Sequence, residues 1–254
     1  FARIDARTGA GMGLWTRPAS GGDAHQLELP GEPGTSPTPA QPSATAAASP
    51  QPVLRAPRYS PDGQAVAFVD VSGRVGVLEL PDDRLTLARF AAVDAPEWLP
   101  DSSGVLLSGS PGGALEPVTP GQPLRAFDAG SLGLSSFELG GLRLARLDRG
   151  AAAVQLLDQV AGAARPQAGE VGRYLFIQVQ PGAPEAAGRL LLSNASGTTE
   201  MLAGGGPPVT SAGFGPQARN AVAARLDAGI WLVDVAAGEG TQLTSEGWLP
   251  SWLP

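Results

Sequence analysis

Pro57-Arg58-Tyr59-Ser60-Pro61-Asp62-Gly63 is followed, after Gln64, by Ala65-Val66-Ala67-Phe68-Val69. Ser-Pro-Asp-Gly between two extended segments is a tight hairpin. Pro presets φ, Asp bonds the neighbouring backbone, and Gly takes a positive φ. The aromatic ahead of it is large enough to wedge between packed sheets. The pattern returns as Pro96-Glu97-Trp98-Leu99-Pro100-Asp101 before Gly104-Val105-Leu106-Leu107. Tyr59 and Trp98 therefore stand one period apart, and that period is roughly 40 residues, within the range of known structural repeats. One further period leads to Phe137, in Phe137-Glu138-Leu139-Gly140-Gly141 before Leu142-Arg143-Leu144-Ala145. Phe214, in Phe214-Gly215-Pro216-Gln217 before Ala221-Val222-Ala223-Ala224, lies two periods beyond that. Trp252, in Pro250-Ser251-Trp252-Leu253-Pro254, follows after one more. The opening between Phe137 and Phe214 is degraded, and Gly169-Glu170-Val171-Gly172 before Tyr174-Leu175-Phe176-Ile177 is its best candidate.

Each unit has a second half. Gly229-Ile230-Trp231-Leu232-Val233-Asp234-Val235 leads through Gly238-Glu239-Gly240 to Thr241-Gln242-Leu243-Thr244. The N-terminal Gly13-Leu14-Trp15-Thr16-Arg17-Pro18 leads through Ser20-Gly21-Gly22 to His25-Gln26-Leu27. Short strands at regular spacing with Gly, Pro and Asp turns are an all-β signal. A period near 40 with about four strands per unit is that of a propeller blade.

The expected fold is an all-β, six-bladed β-propeller in a single domain, 1–254. Blades run over about 54–92, 93–132, 133–165, 166–206 and 207–246. Residues 1–29 lack an opening motif and 247–254 supply one, so together they make a shared sixth blade that closes the ring and removes free sheet edges. Residues 31–53, rich in Pro, Ser, Thr and Ala with almost no large apolar side chain, read as an extended loop. It is either a passive spacer or a docking or glycosylated segment.

Composition agrees. Gly and Pro number 35 and 25 of 254 residues, mean hydropathy is +0.01, and aromatics are 6%. Turns are therefore many, and the core rests on Val, Leu, Ala and Ile. With no Cys and one His, disulfides, thiolate nucleophiles and multi-His metal sites are excluded. The net charge of −7 speaks against a nucleic-acid partner. No apolar run approaches the 18 or so residues of a membrane-spanning helix. The chain begins at Phe1, which leads us to expect either a removed signal or lipid anchor or a fragment of a longer protein.

Few residues invite a chemical role. His25 reads as an exposed polar residue on an outermost strand. Asp62 and Asp101 read as turn residues, with metal or ligand contact the lesser reading. Pro81-Asp82-Asp83-Arg84 reads as a solvated hairpin turn. Gly112-Gly113 and Gly204-Gly205-Gly206 have no following Lys-Ser/Thr and are not read as phosphate loops. Asn194-Ala195-Ser196 fits a glycosylation sequon. A propeller binds by default at its axial channel, so the residue before each anchor is the candidate binding position: Arg58, Glu97, Ser136, Gly213 and Ser251. The alternative is that these are plain strand residues of the blade edge. No catalytic or metal residue and no cofactor is expected.

These residues resemble the TolB-like (PD40, WD40-like) six-bladed β-propeller family, whose repeat is roughly P-x-W-S-P-D-G, an apolar strand, a strand with an aromatic and Asp, then G-G-x-x-x-x-L-T. Residues 57–69 match best. Residues 96–107 match with Leu for Ser and an extra turn residue, 229–254 match the later strands and next opening, and 13–28 match the Gly-Gly and Leu segment. Residues 133–206 match on spacing. The resemblance implies a non-enzymatic protein-interaction scaffold in a bacterial cell-envelope assembly, placed outside the cytoplasm in the periplasm or envelope. The alternative is a ligand- or glycan-sensing ectodomain of a larger membrane-anchored protein, and a propeller-type hydrolase is the third reading.

Overall fold

The run Ala65–Asp70 is apolar at five successive positions and buried at all six. A strand with one solvated face would alternate, so this strand is covered on both sides. The computed structural model describes residues 2–4, 11–17, 22–27, 54–70, 74–82, 84–88, 90–92, 94–111, 116–117, 142–151, 154–157, 160–170, 172–179 and 187–247. Among these the only helix is one 3-10 turn at Pro216–Ala218.

The strands form antiparallel sheets in chain order. The first holds β1 (Ala2–Ile4), β2 (Gly11–Thr16) and β3 (His25–Leu27). The second is the meander β4 (Leu54–Tyr59), β5 (Ala65–Asp70), β6 (Val75–Glu79) and β7 (Arg84–Ala88). In the third, β8 (Phe90–Ala92) and β9 (Glu97–Trp98) both pair with β10 (Gly104–Pro111). The short β11 (Glu116–Pro117) joins the outer side of β7 in the second sheet. The third sheet continues through β12 (Arg143–Asp148) and β13 (Gln155–Leu156). The fourth meander is β14 (Ala163–Ala168), β15 (Tyr174–Val179), β16 (Gly188–Asn194) and β17 (Gly197–Met201). The fifth is β18 (Val209–Phe214), β19 (Asn220–Arg225), β20 (Gly229–Asp234) and β21 (Gly240–Thr244). A single residue pair, Gly188 with Val209, hydrogen-bonds the fourth meander to the fifth.

The pairing departs from the expected division at more than one place: Phe90–Ala92 pairs into the sheet of 93–132 and Glu116–Pro117 into that of 54–92, and the largest departure is at Arg143–Asp148. Arg143–Asp148 pairs with Gly104–Pro111 from Gly104 with Asp148 to Gly109 with Arg143. Residues assigned by spacing to units 93–132 and 133–165 therefore share one sheet. A repeat interval alone cannot separate the second strand of a new unit from the third strand of the old one, because spacing carries no information on which strand pairs with which. Phe137, the loop 31–53 and residues 248–254 lie outside the described residues.

The core is a series of interfaces between successive sheets. Leu14 and Leu54 meet Val66, Phe68, Leu78, Leu85 and Leu87 between the first and second sheets. Ala65, Ala67, Val69, Val75 and Val77 meet Phe90, Trp98, Val105 and Leu107 between the second and third. Leu106 and Leu144 meet Tyr174, Phe176 and Leu191 next. Leu175, Ile177, Leu190 and Leu192 meet Ala221, Ala223 and Val233 last. Strands β5, β10 and β15 each send alternate side chains to opposite interfaces. Close approach leaves no room at some glycines: a Cβ on Gly76 would overlap the Phe68 ring.

Candidate functional site

The opening hairpins fix the geometry of the site. Ser60 N–H donates to Ala65 O, Leu99 N–H to Gly104 O, Gly169 N–H to Arg173 O and Gly215 N–H to Asn220 O, at 2.8–2.9 Å. Those four residues hold one place after four opening strands, β4, β9, β14 and β18. The residue before each is the anchor: Tyr59, Trp98, Ala168 and Phe214, opposite Val66, Val105, Tyr174 and Ala221. The degraded opening is now specific. Gly169, Glu170 and Gly172 belong to the turn, and the aromatic has become Ala168. Trp98 Nε1 donates to Arg58 O at 2.9 Å. Tyr59 Oη donates to Thr16 Oγ1 at 2.8 Å. A Cβ on Gly169 would lie 2.9 Å from the Phe214 ring. Each aromatic thus leans on the preceding sheet.

One residue further back lie Arg58, Glu97, Gln167 and Gly213, opposite Ala67, Leu106, Leu175 and Val222. The same register therefore brings three of the expected positions, Arg58, Glu97 and Gly213, to equivalent places. Gln167 is the fourth, and sequence reading missed it because it counted from an aromatic that is absent. Counting two residues back from Gly169, as Arg58 stands two back from Ser60, finds it. Ser136 and Ser251 lie outside the described residues.

A bulge precedes three of these positions. The ladder shifts between Arg55 and Arg58, between Ala164 and Gln167, and between Val209 and Ser211. Ala56 and Arg165 take φ of 51° there, a costly conformation for a residue with a Cβ. The Arg165 bend is held from the neighbouring sheet: its N–H donates to Asp94 Oδ2 at 2.7 Å.

Arg58 is exposed, and Glu97 and Gln167 are half-buried. Burial pushes the Glu97 carboxyl above its ordinary value of 4.5, and the positive charge of Arg58 partly opposes the rise. Gln167 Nε2 donates to Pro166 O at 3.0 Å, and a Cβ placed on Gly213 would sit 3.8 Å from its Oε1. The group offers a carboxylate with raised proton affinity, a neighbouring cation, an amide and an open place at a glycine. That set can recognise a polar surface or ligand.

The other polar candidates have local partners. Asp62 Oδ1 accepts from Ser60 Oγ at 2.5 Å and Gln64 N–H at 3.0 Å, while Oδ2 meets Arg149 at 2.7 Å. The Ser60 and Gln64 bonds, with Arg149, bring its pKa down to about 2. Asp101 Oδ1 accepts from Ser103 N–H and Oγ–H at 3.0 and 2.7 Å, which lowers its pKa. Asn194 Oδ1 accepts from Ser196 N–H within the β16–β17 turn. His25 is exposed on the edge strand β3, and Asp82 is exposed in the β6–β7 turn. Among the described residues, no three His, Asp or Glu side chains are grouped to hold a metal ion. No described helix is long and apolar enough to cross a membrane.

No family model matches the chain, and no curated protein sequence matches it. Solved structures do. A protein assigned as TolB from Agrobacterium tumefaciens superposes with a TM-score of 0.54 at 14% identity, over 76% of this chain and 62% of its own. An oligogalacturonate lyase in complex with manganese superposes with a TM-score of 0.52 at 15% identity, over 77% of this chain and 54% of its own. The chain spans less than two thirds of either. At such identities the likeness is one of fold: this is an all-β chain of several antiparallel sheets, structurally similar to β-propeller proteins.

Proposed function

We propose that the chain is a non-enzymatic binding module of propeller type. It takes a protein partner at Arg58, Glu97, Gln167 and Gly213, within an assembly of the bacterial cell envelope. The observation that carries this reading is the common register of those four residues on β4, β9, β14 and β18. Equivalent places on successive opening strands gather around one axis in a propeller, and side chains there meet a single ligand together. Glu97 beside Arg58 suits recognition by charge. The envelope placement rests on the TolB-like repeats and on the fold likeness to a TolB protein.

The ring is read as closed by residues 248–254, which add an opening strand to the β1–β3 sheet. Support comes from strand number: among the described residues that sheet has three strands, whereas the β18–β21 meander has four. The pairing of β10 with β12 favours one blade fewer than the six that spacing alone suggests.

The test is capture from envelope extract by the parent chain and by an Arg58→Ala, Glu97→Ala double variant. A specific partner retained by the parent should fall by about tenfold or more with the variant, the loss expected of central interface residues. Equal capture by both chains sinks the proposal. A glycan- or ligand-sensing role is the second reading, favoured by the open place at Gly213 beside Gln167 Oε1. Oligosaccharide binding that Gln167→Ala abolishes would put it first.

A further inference from the structure

Between the fourth and fifth meanders lies a cavity of about 180 Å³, walled by residues 188–190 of β16, by much of the stretch 200–209, and by Arg225 at the end of β19. That volume corresponds to about six waters of bulk liquid. Arg225 is 9% exposed. Its Nη2 donates to Leu202 O at 3.2 Å and Gly205 O at 3.0 Å, and its guanidinium lies 5.1 Å from the Trp231 ring centroid. Carbonyls and an aromatic face hold the group in place without neutralising it. Nε is buried with no acceptor. Nη1 lies against the cavity wall, where a Cβ on Gly206 would come within 2.7 Å of it.

Among the described residues, no carboxylate lies within ion-pair distance of Arg225. The matching place in the second sheet shows the contrast. Asp70 stands opposite Leu54 as Arg225 stands opposite Val209, and Asp70 has its counter-ion, Arg74, at 2.7 Å. In the cavity, Glu200 is already engaged by Arg189 at 3.3 Å, and Arg189 also donates to Gln178. Arg225 is the charge left over. A buried charge with no counter-ion is costly, and an anion able to reach it recovers that cost. The cavity also has an apolar side, formed by Leu190, Met201 and Val209.

We propose that this cavity binds a carboxylate with a short apolar tail. The carboxylate accepts from Arg225 Nη1, and the tail lies against Leu190, Met201 and Val209. The carboxylate belongs either to a free small acid or to a peptide C terminus, and the assay separates the two.

The probe is valerate, with the neutral valeramide as control, titrated into the whole chain at fixed ionic strength. Thermal unfolding and amide chemical shifts are followed together. Valerate should raise the melting temperature in a saturable way and shift the amides of Gly205, Gly206 and Val209, while valeramide does neither. Arg225→Gln should weaken binding by about tenfold or more, as expected for loss of a charge-assisted hydrogen bond. Equal responses to valerate and valeramide, or shifts confined to other residues, overturn the proposal. If Arg225→Gln fails to fold, the chemical-shift map of the parent still decides. A tetrapeptide with a free C terminus binding better than both valerate and its amidated form assigns the carboxylate to a chain end. The reverse order assigns it to a small acid.

Discussion

The indole Nε1 of Trp98 donates a 2.9 Å hydrogen bond to the backbone oxygen of Arg58, one sheet away and 40 residues earlier. Trp98 is 7% exposed and packs among Ala67, Phe90 and Val105. The bond fixes the spacing of the two strands that carry Arg58 and Glu97. Trp98→Phe keeps most of the packing and should cost about 1 kcal/mol, the net worth of one hydrogen bond. Trp98→Ala should cost about 3–5 kcal/mol through the cavity it leaves. Denaturant unfolding of both variants measures the difference.

Arg149 makes a second link between sheets. Its Nη2 lies 2.5 Å from Glu79 Oε2 and its Nη1 2.7 Å from Asp62 Oδ2. Glu79 is buried, at 6% exposure. Arg149→Met strands that carboxylate and should cost about 3 kcal/mol, at the low end for a broken buried pair because Arg149 is partly exposed. Adding Glu79→Leu should recover much of the loss. A double-mutant cycle that returns simple additivity refutes the coupling.

Glu97 should make stability pH-dependent in the opposite sense from Asp62. The folded state raises the Glu97 pKa above 4.5, so the fold binds the proton more tightly than the unfolded chain does. Its penalty is absent below about pH 4.5, grows as pH rises through the folded pKa, and is complete above it. Glu97→Gln should therefore be more stable than the parent at pH 7 and lose that advantage near pH 4. Asp62, brought from 3.8 to about 2, contributes stability above about pH 3.8 that is lost as pH falls toward 2. Urea titrations of Glu97→Gln and Asp62→Asn across pH 2–8 test both signs.

Removing residues 248–254 should lower the melting temperature and promote self-association, because an unpaired sheet edge attracts other chains. A truncated chain that stays monomeric and melts with the parent refutes the proposed closure.

Legibility followed chemistry. The segment from Pro57 to Val69 could be read at once, because Pro, Asp and Gly each mark a backbone conformation that few other residues adopt. Trp98 and Phe214 were legible by size. Ala168 was not, since an alanine carries no mark of the place it fills. Without that anchor Gln167 could not be counted. The partnership of Arg143–Asp148 with Gly104–Pro111 was hidden for another reason: apolar alternation states that a strand has a core face, and says nothing of which strand it pairs with. Arg225 looked like any other arginine, because its isolation depends on carbonyls and an aromatic contributed by other loops and strands.

The alternation of β5, β10 and β15 between two interfaces turns side-chain parity into an address. Leu175 and Ile177 belong to one interface, Tyr174 and Phe176 to the other. Inserting one residue before Tyr174 would exchange the two sets and send small and bulky side chains to the wrong neighbours at once. Length variation within these strands is therefore confined to steps of two, each still carrying the cost of repacking.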